Sequence, residues 1–487
     1  MLKFLKNSYS KTFFLFTLIV LLSLIIRCLY GYHSWYIRDQ ARIFDLGFKL
    51  FSENILPVHG SPVVYVDSVL PGSLQGILAA FPLYFSFGNP FGIICFVQIL
   101  NLISCIILAL IYSKIFNKIN KLFIFFFIVL NPMNIIYSYA WNPSFMILFT
   151  TLFFLGIYKV IENKESNIGN FLLYFPILFM LQLNLQFLIY PVLLIILFLK
   201  KIIKIPKFSV FSLAVLPGFI FLLPYLVDKL SNKSKPVNNW NLNGNFLDSI
   251  TFNFENIFSY FHVLIRFISF SASEITRNIN KEYLFNSAFL IPFFIFSIII
   301  TIFIIAFSAL FYLNKNVWKS IILNKAKFKT EDKFNFILIA IPIITTILFV
   351  FSITPPSTHK IWSLFPFCFY PLFFMINKIK QKENPNYENH FLLPNKLISK
   401  LRILNTTKIN NYYIYVIPIF YFSTLLFGCL SATKVPINYS YVMERSKTFC
   451  KNEDREYIKN ILIDEKKAKK EEDYTFSLLC QYWDNLK

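Results

Sequence analysis

No Gly-rich phosphate loop, no nucleotide-binding fingerprint and no internal repeat occurs among the 487 residues. The 5 His and 7 Cys show no spacing of the zinc-site type. Acidic residues are few, 25 against 47 Lys and Arg, for a net charge of +22. That basic excess is not gathered on one face. It is spread over short loops between apolar runs, as the positive-inside rule describes, and so does not point to nucleic acid. No small-x-small cleavage site follows the first apolar run, 12–30, which reads as a retained anchor helix.

What is present is apolar. Hydrophobic residues make up 56% of the chain, with 61 Phe, and the mean hydropathy is +0.58. A soluble fold of this length could not hide so much apolar surface. Long apolar runs recur along the whole sequence, as membrane-spanning helices require. Heavy use of Lys, Ile, Asn and Phe also fits an AT-rich genome.

Charge orients the spans. Lys3, Lys6 and Lys11 put the N-terminus in the cytoplasm, and helix one (12–30) exits. A first outer loop, 31–90, ends in an apolar stretch at 74–87 that reads as interfacial. Spans then follow at 91–113, 122–139, 143–161, two within 171–199 turning near Gln182 to Gln186, 208–227, 286–313, 334–353, 361–377 and 412–432. The short outer turns 140–142, 182–186 and 354–359 contain no Lys or Arg. The expected fold is an all-α polytopic membrane protein of about 11 transmembrane helices. Residues 1–432 form the membrane domain, with a second outer loop at 228–285. Residues 433–487 form a small outer tail, where Cys450 and Cys480 are a disulfide candidate.

The segment after helix one is the most informative. Ile37, Phe44, Phe48 and Phe51 recur at helical spacing, so an amphipathic helix is expected on the outer membrane surface. Asp39 begins it, where a carboxylate favours the helix N-terminus. A second acid, Asp67, precedes the interfacial stretch. Two carboxylates on one loop at the headgroup level suit activation of a hydroxyl or support of a developing positive sugar. Asp39 alone also reads as a helix cap. Charges inside the spans are nearly absent, which favours chemistry at the surface over transport.

The ordered series of motifs resembles the GT-C superfamily, in particular the protein O-mannosyltransferase and aminoarabinose transferase branch (glycosyltransferase family 39-like). Arg38-Asp39-Gln40-Ala41 matches the acidic start of that family's first outer loop. His59-Gly60-Ser61-Pro62, Asp67 through Gly72, Phe87-Gly88, Asn131-Pro132 and Trp141-Asn142-Pro143-Ser144 follow in the family's order. Gln182-Leu183-Asn184 has Asn where many relatives have His. His359-Lys360, after Thr354-Pro355-Pro356, is the nearest match to a basic cluster in a late outer loop.

The resemblance implies a glycosyltransferase of a bacterial inner membrane, with its active site facing the periplasm. Asp39 would be the general base, and a polyprenyl-phosphate-linked sugar the donor. The acceptor would be a lipid, a glycan or a protein. Lys360 with Arg38 or Arg42 would hold the phosphate, while Asp67 would orient the sugar or acceptor. Trp141, Asn142, Gln182, Asn184 and His359 would line the substrate site. The lack of a nucleotide fingerprint agrees with a lipid-linked donor. No cofactor is certain, and a divalent metal stays open. Blander roles stand beside these: Lys360 as a snorkelling cation, Trp141 as an interfacial anchor, Gln182 and Asn184 as interhelical bonds. Arg266, Glu274 and Arg277 sit in the second outer loop without a local argument for a role. The alternatives at the level of function are a transporter or flippase of lipid-linked sugar, or a non-catalytic assembly protein.

Overall fold

The computed structural model describes residues 8–34, 36–63, 68–136, 139–231, 251–272, 291–322, 329–352, 355–356, 358–381, 437–463 and 467–486. The first eleven helices in chain order are α1 (Ser8–His33), α2 (Arg38–Glu53), α3 (Leu74–Phe85), α4 (Phe91–Ile115), α5 (Lys121–Val129), α6 (Pro132–Ile136), α7 (Asn142–Glu162), α8 (Asn167–Leu181), α9 (Ile189–Leu199), α10 (Phe208–Ser231) and α11 (Tyr260–Ala272). Later helices run over Ile291–Leu313, Lys315–Ile322, Thr330–Val350 and Tyr370–Gln381. Three more, Tyr439–Asn452, Arg455–Ile463 and Glu471–Asn485, make up the tail. Among the described residues, five helices are long and apolar enough to cross a membrane: Phe14–His33, Phe91–Ile115, Asn142–Glu162, Phe208–Ser231 and Thr330–Val350. The span expected at 412–432 lies outside the described residues.

Several elements differ from expectation for local reasons. The apolar run 122–139 is not one helix. It breaks between α5 and α6 at Leu130-Asn131, because Pro132 has no N–H to continue the ladder. The segment 361–377 begins as a 3-10 helix, Thr358–Phe367, containing Pro366, and becomes α-helical only at Tyr370. The block 171–199 does divide, with α8 ending at Leu181 and α9 starting at Ile189. The stretch 74–87 holds a 12-residue helix, α3. At about 1.5 Å per residue it is too short to cross a bilayer core alone.

Two short strands, β1 (His59–Val63) and β2 (Ser68–Pro71), form an antiparallel pair between α2 and α3. Asp67 lies outside the described residues.

The segment expected to form the first outer loop is packed, not splayed. Gln40 and Ala41 are buried on α2, as are Ile43, Phe44, Asp45, Leu46, Gly47 and Phe48. One side of α2 crosses α3 and another meets the tail helix Glu471–Asn485. The helix expected to lie open on the membrane surface is therefore enclosed by protein on two sides. The α2–α3 crossing is close because Gly47 has no side chain. A Cβ there would stand 2.7 Å from the Ala79 carbonyl carbon and 2.8 Å from the Ala80 nitrogen.

Candidate active site

Asp39 and Arg42 lie one helical turn apart near the start of α2. Their nearest charged atoms are 3.9 Å apart, with side-chain exposures of 27% and 12%. The helix start is fixed by Gln40, whose side-chain oxygen accepts a hydrogen bond from the Ile37 N–H (2.9 Å). Arg42 Nε also points at the Tyr474 hydroxyl oxygen at 3.4 Å, and its guanidinium carbon sits 5.2 Å from the Tyr474 ring centroid. Arg38 opens the helix and is half-buried. One turn further on, Asp45 receives a hydrogen bond from Lys49 Nζ (2.8 Å). Burial raises the Asp45 pKa, and the lysine opposes that shift.

A second set of polar groups ties the loop to the bundle. Gln75, fully buried in the first turn of α3, accepts from the Ser61 N–H (2.6 Å) and donates to the Asn142 side-chain oxygen at the head of α7. Gln182 accepts from the Leu74 N–H (3.4 Å) and donates to the Leu178 and Gly218 carbonyls (3.1 and 2.9 Å). Its side chain packs against Gly72, whose φ of +91° suits glycine. Asn184 accepts from the Gln186 N–H (3.1 Å) and so caps the 3-10 turn Leu185–Leu188. The side-chain oxygen of Gln186 in turn accepts from the Ser363 N–H (3.2 Å).

Ser363 shares its 3-10 helix with Lys360. The Lys360 ammonium is half-buried and donates to the Pro355 carbonyl (3.0 Å). Burial lowers its pKa to about 8. The His359 side chain lies outside the described residues. Trp141 stacks on Tyr139, with centroids 5.7 Å apart and planes 14° apart, and Tyr139 in turn meets Trp362 at 6.4 Å. Asp39, Arg42, Asn142, Gln182, Asn184 and Lys360 thus belong to one run of packed elements, from α2 through α3 and the head of α7 to the 3-10 helix. Gln182 bonds across to the Gly218 carbonyl, as the interhelical role has it, whereas the Asn184 bond is a local cap. Arg266 lies on α11; Glu274 and Arg277 fall outside the described residues.

Two further groups, His59 of the His59-Gly60-Ser61-Pro62 motif and Arg27, have no role assigned from the sequence. His59 is buried with Nε2 3.4 Å from an Asp228 carboxylate oxygen, and it meets the Tyr225 ring edge-on at 5.6 Å. Burial lowers the His59 pKa, while the Asp228 charge opposes this. Beside the pair runs an apolar groove of about 700 Å³, lined by Leu56, Val58, Ile77, Ile220, Phe221 and Leu223 among others. Arg27, inside the first span, is an exception to the expected lack of charge there. It is fully buried, and its donors go to Ser23 Oγ (3.1 Å), Asn134 Oδ1 (2.5 Å), Gln98 Oε1 (3.5 Å), the Val129 carbonyl (3.2 Å) and Cys105 Sγ (3.7 Å). Among the described residues, no three His, Cys, Asp or Glu are grouped so as to hold a metal.

No protein-family model and no curated protein sequence matches the chain. Solved structures do. ArnT from Cupriavidus metallidurans in the apo state superposes with a TM-score of 0.59 at 8% identity, covering 97% of this chain and 85% of that one. The same protein bound to undecaprenyl phosphate gives 0.57 at 9% identity, covering 97% and 88%. The chain has an ArnT-like fold. Within that ArnT-like fold, the alignment spans nearly the whole chain.

Proposed function

We propose that this protein transfers a sugar from a polyprenyl-phosphate carrier to an acceptor hydroxyl at the outer face of the inner membrane. The observation that carries the proposal is the likeness over 97% of the chain to a fold whose neighbour holds undecaprenyl phosphate. The Asp39–Arg42 pair at the head of the first outer helix supports it. So does an apolar groove with room for a hydrocarbon chain.

In the proposed step the acceptor oxygen attacks the anomeric carbon. The bond from that carbon to the phosphate oxygen breaks, and configuration inverts. Asp39 takes the hydroxyl proton, and the electron pair leaves with the polyprenyl phosphate. A phosphate is already a good leaving group, so the protein supplies a base, alignment and cations near the departing charge. Lys360 and Arg42, with Arg38 beside them, are the cations of this scheme.

Asp39→Asn tests the base. Transfer from a polyprenyl-phosphate donor should fall by about two to four orders of magnitude, the usual worth of a general base, with binding of undecaprenyl phosphate and protein level unchanged. Full activity in the variant ends the proposal. So does cysteine labelling that puts residues 39 and 360 on opposite faces of the bilayer.

A further inference from the structure

We infer that the C-terminal tail is part of the candidate site, with Tyr474 as the positioning residue for Arg42. The inference rests on the site reading above and adds a residue that lies 432 positions away in sequence from the cation it holds.

The physical case begins with Arg42 itself. An Asp–Arg pair one turn apart on a partly exposed helix, at 3.9 Å, fixes a guanidinium weakly, because the long side chain gives up rotamer freedom for little Coulomb energy. An aromatic face changes this: it restrains the plane of the guanidinium and is matched to its charge. Tyr474 supplies that face at 5.2 Å and a hydroxyl oxygen toward Nε, and it is itself only 2% exposed.

The tail is in turn fastened to the first outer loop. The Tyr36 N–H donates to the Ile437 carbonyl (3.2 Å), and the Tyr439 N–H to the Ser34 carbonyl (3.1 Å). The Tyr439 hydroxyl reaches Asn89 (2.8 Å), and Tyr482 packs edge-on to Phe44 at 6.3 Å. Within the tail, a Cys450–Cys480 disulfide joins the first and last helices. Trp483 Nε1 donates to Ser446 Oγ (2.9 Å) across the same joint. Tyr474 is therefore mounted on a braced unit.

The test uses the full chain in lipid nanodiscs with Tyr474→Ala, Tyr474→Phe, Arg42→Ala and the Tyr474→Ala/Arg42→Ala double variant. The first readout needs no ligand: the rate at which phenylglyoxal modifies Arg42, followed by mass spectrometry. Tyr474→Ala should speed modification by about tenfold, and Tyr474→Phe, which keeps the ring, should stay close to wild type. The second readout is binding of undecaprenyl phosphate. Tyr474→Ala and Arg42→Ala should each weaken it by about tenfold, and the double variant should be no worse than Arg42→Ala alone. Losses that add in the double variant, or an unchanged Arg42 rate in Tyr474→Ala, overturn the inference. Wild-type protein that binds no undecaprenyl phosphate, yet shows the faster Arg42 reaction in Tyr474→Ala, sinks the transferase reading and leaves the positioning role standing. Should Tyr474→Ala fail to form the Cys450–Cys480 bond, Tyr474→Leu takes its place in both readouts.

Discussion

Arg27 and Arg42 stand on consecutive helices and are held in opposite ways. Arg27 is sunk between α1, α4 and the α5–α6 break, and the partners around it are a hydroxyl, two amide oxygens, a carbonyl and a thiol. One of those, the Val129 carbonyl, sits at the end of α5 just before Pro132 interrupts the helical ladder. Arg42 instead faces a carboxylate, leans on a ring and stays partly exposed. A cation surrounded by neutral acceptors inside a bundle is a fastening. A cation beside an acid, partly exposed near the start of α2, is the one to which the proposed function assigns a ligand. The type of residue is the same; the company it keeps separates the roles.

The largest effect should follow from Arg27→Met. It removes the buried guanidinium's hydrogen bonds to Asn134, Gln98, Ser23 and the Val129 carbonyl, each worth about 1–3 kcal/mol when a charged donor is involved. A loss of folded protein on thermal unfolding in detergent checks this. Arg42→Ala, by contrast, should shift stability by no more than about 1 kcal/mol. Equal stability losses in the two would erase the distinction between them.

Gly47→Ala comes next. It leaves both arginines intact but forces α2 away from α3, since the new methyl meets backbone atoms at 2.7 and 2.8 Å. A destabilisation of about 1–3 kcal/mol is expected, with a drop in undecaprenyl phosphate binding because α2 carries Arg42. Unchanged binding would mean that α2 does not need this seating.

The smallest effect is one of pH. The Lys360 ammonium, lowered to about 8 by burial, is mostly charged at neutral pH and loses its proton as pH rises through that value. Affinity for the phosphate should therefore fall between about pH 7 and 9, by up to about tenfold per unit once above the pKa. Lys360→Arg, whose charge persists there, should flatten the profile. A wild-type profile that is flat over this interval removes Lys360 from the phosphate site.

Much of the frame was legible in the sequence because it rests on local patterns. Apolar run length marked α1, α4, α7 and α10. The polar pair Gln182 and Gln186 marked the turn between α8 and α9. The spacing of Ile37, Phe44 and Phe48 marked α2 and put Asp39 in its first turn. The two tail cysteines do pair. The break at Asn131-Pro132 was signalled too, by the proline, although the apolar run read straight through it. The β1–β2 pair escaped notice because Pro62 and Pro71 argue against strands. What no local pattern could disclose was the set of long-range partners. Gln75 on Asn142, Gln186 on Ser363, Arg27 on Asn134 and Tyr474 on Arg42 are each set by how distant segments meet, and none leaves a periodicity behind.

The docking of the tail on α2 has a consequence for biosynthesis. Residues 437–485 emerge from the ribosome only after all the preceding helices have been made. Until then α2 lacks its contacts with the tail helix Glu471–Asn485, and Arg42 lacks the Tyr474 ring. On the proposed reading, a chain cut before residue 437 would insert with Arg42 lacking the ring that steadies it, so the order of synthesis puts the site's assembly after that of the helices it sits on.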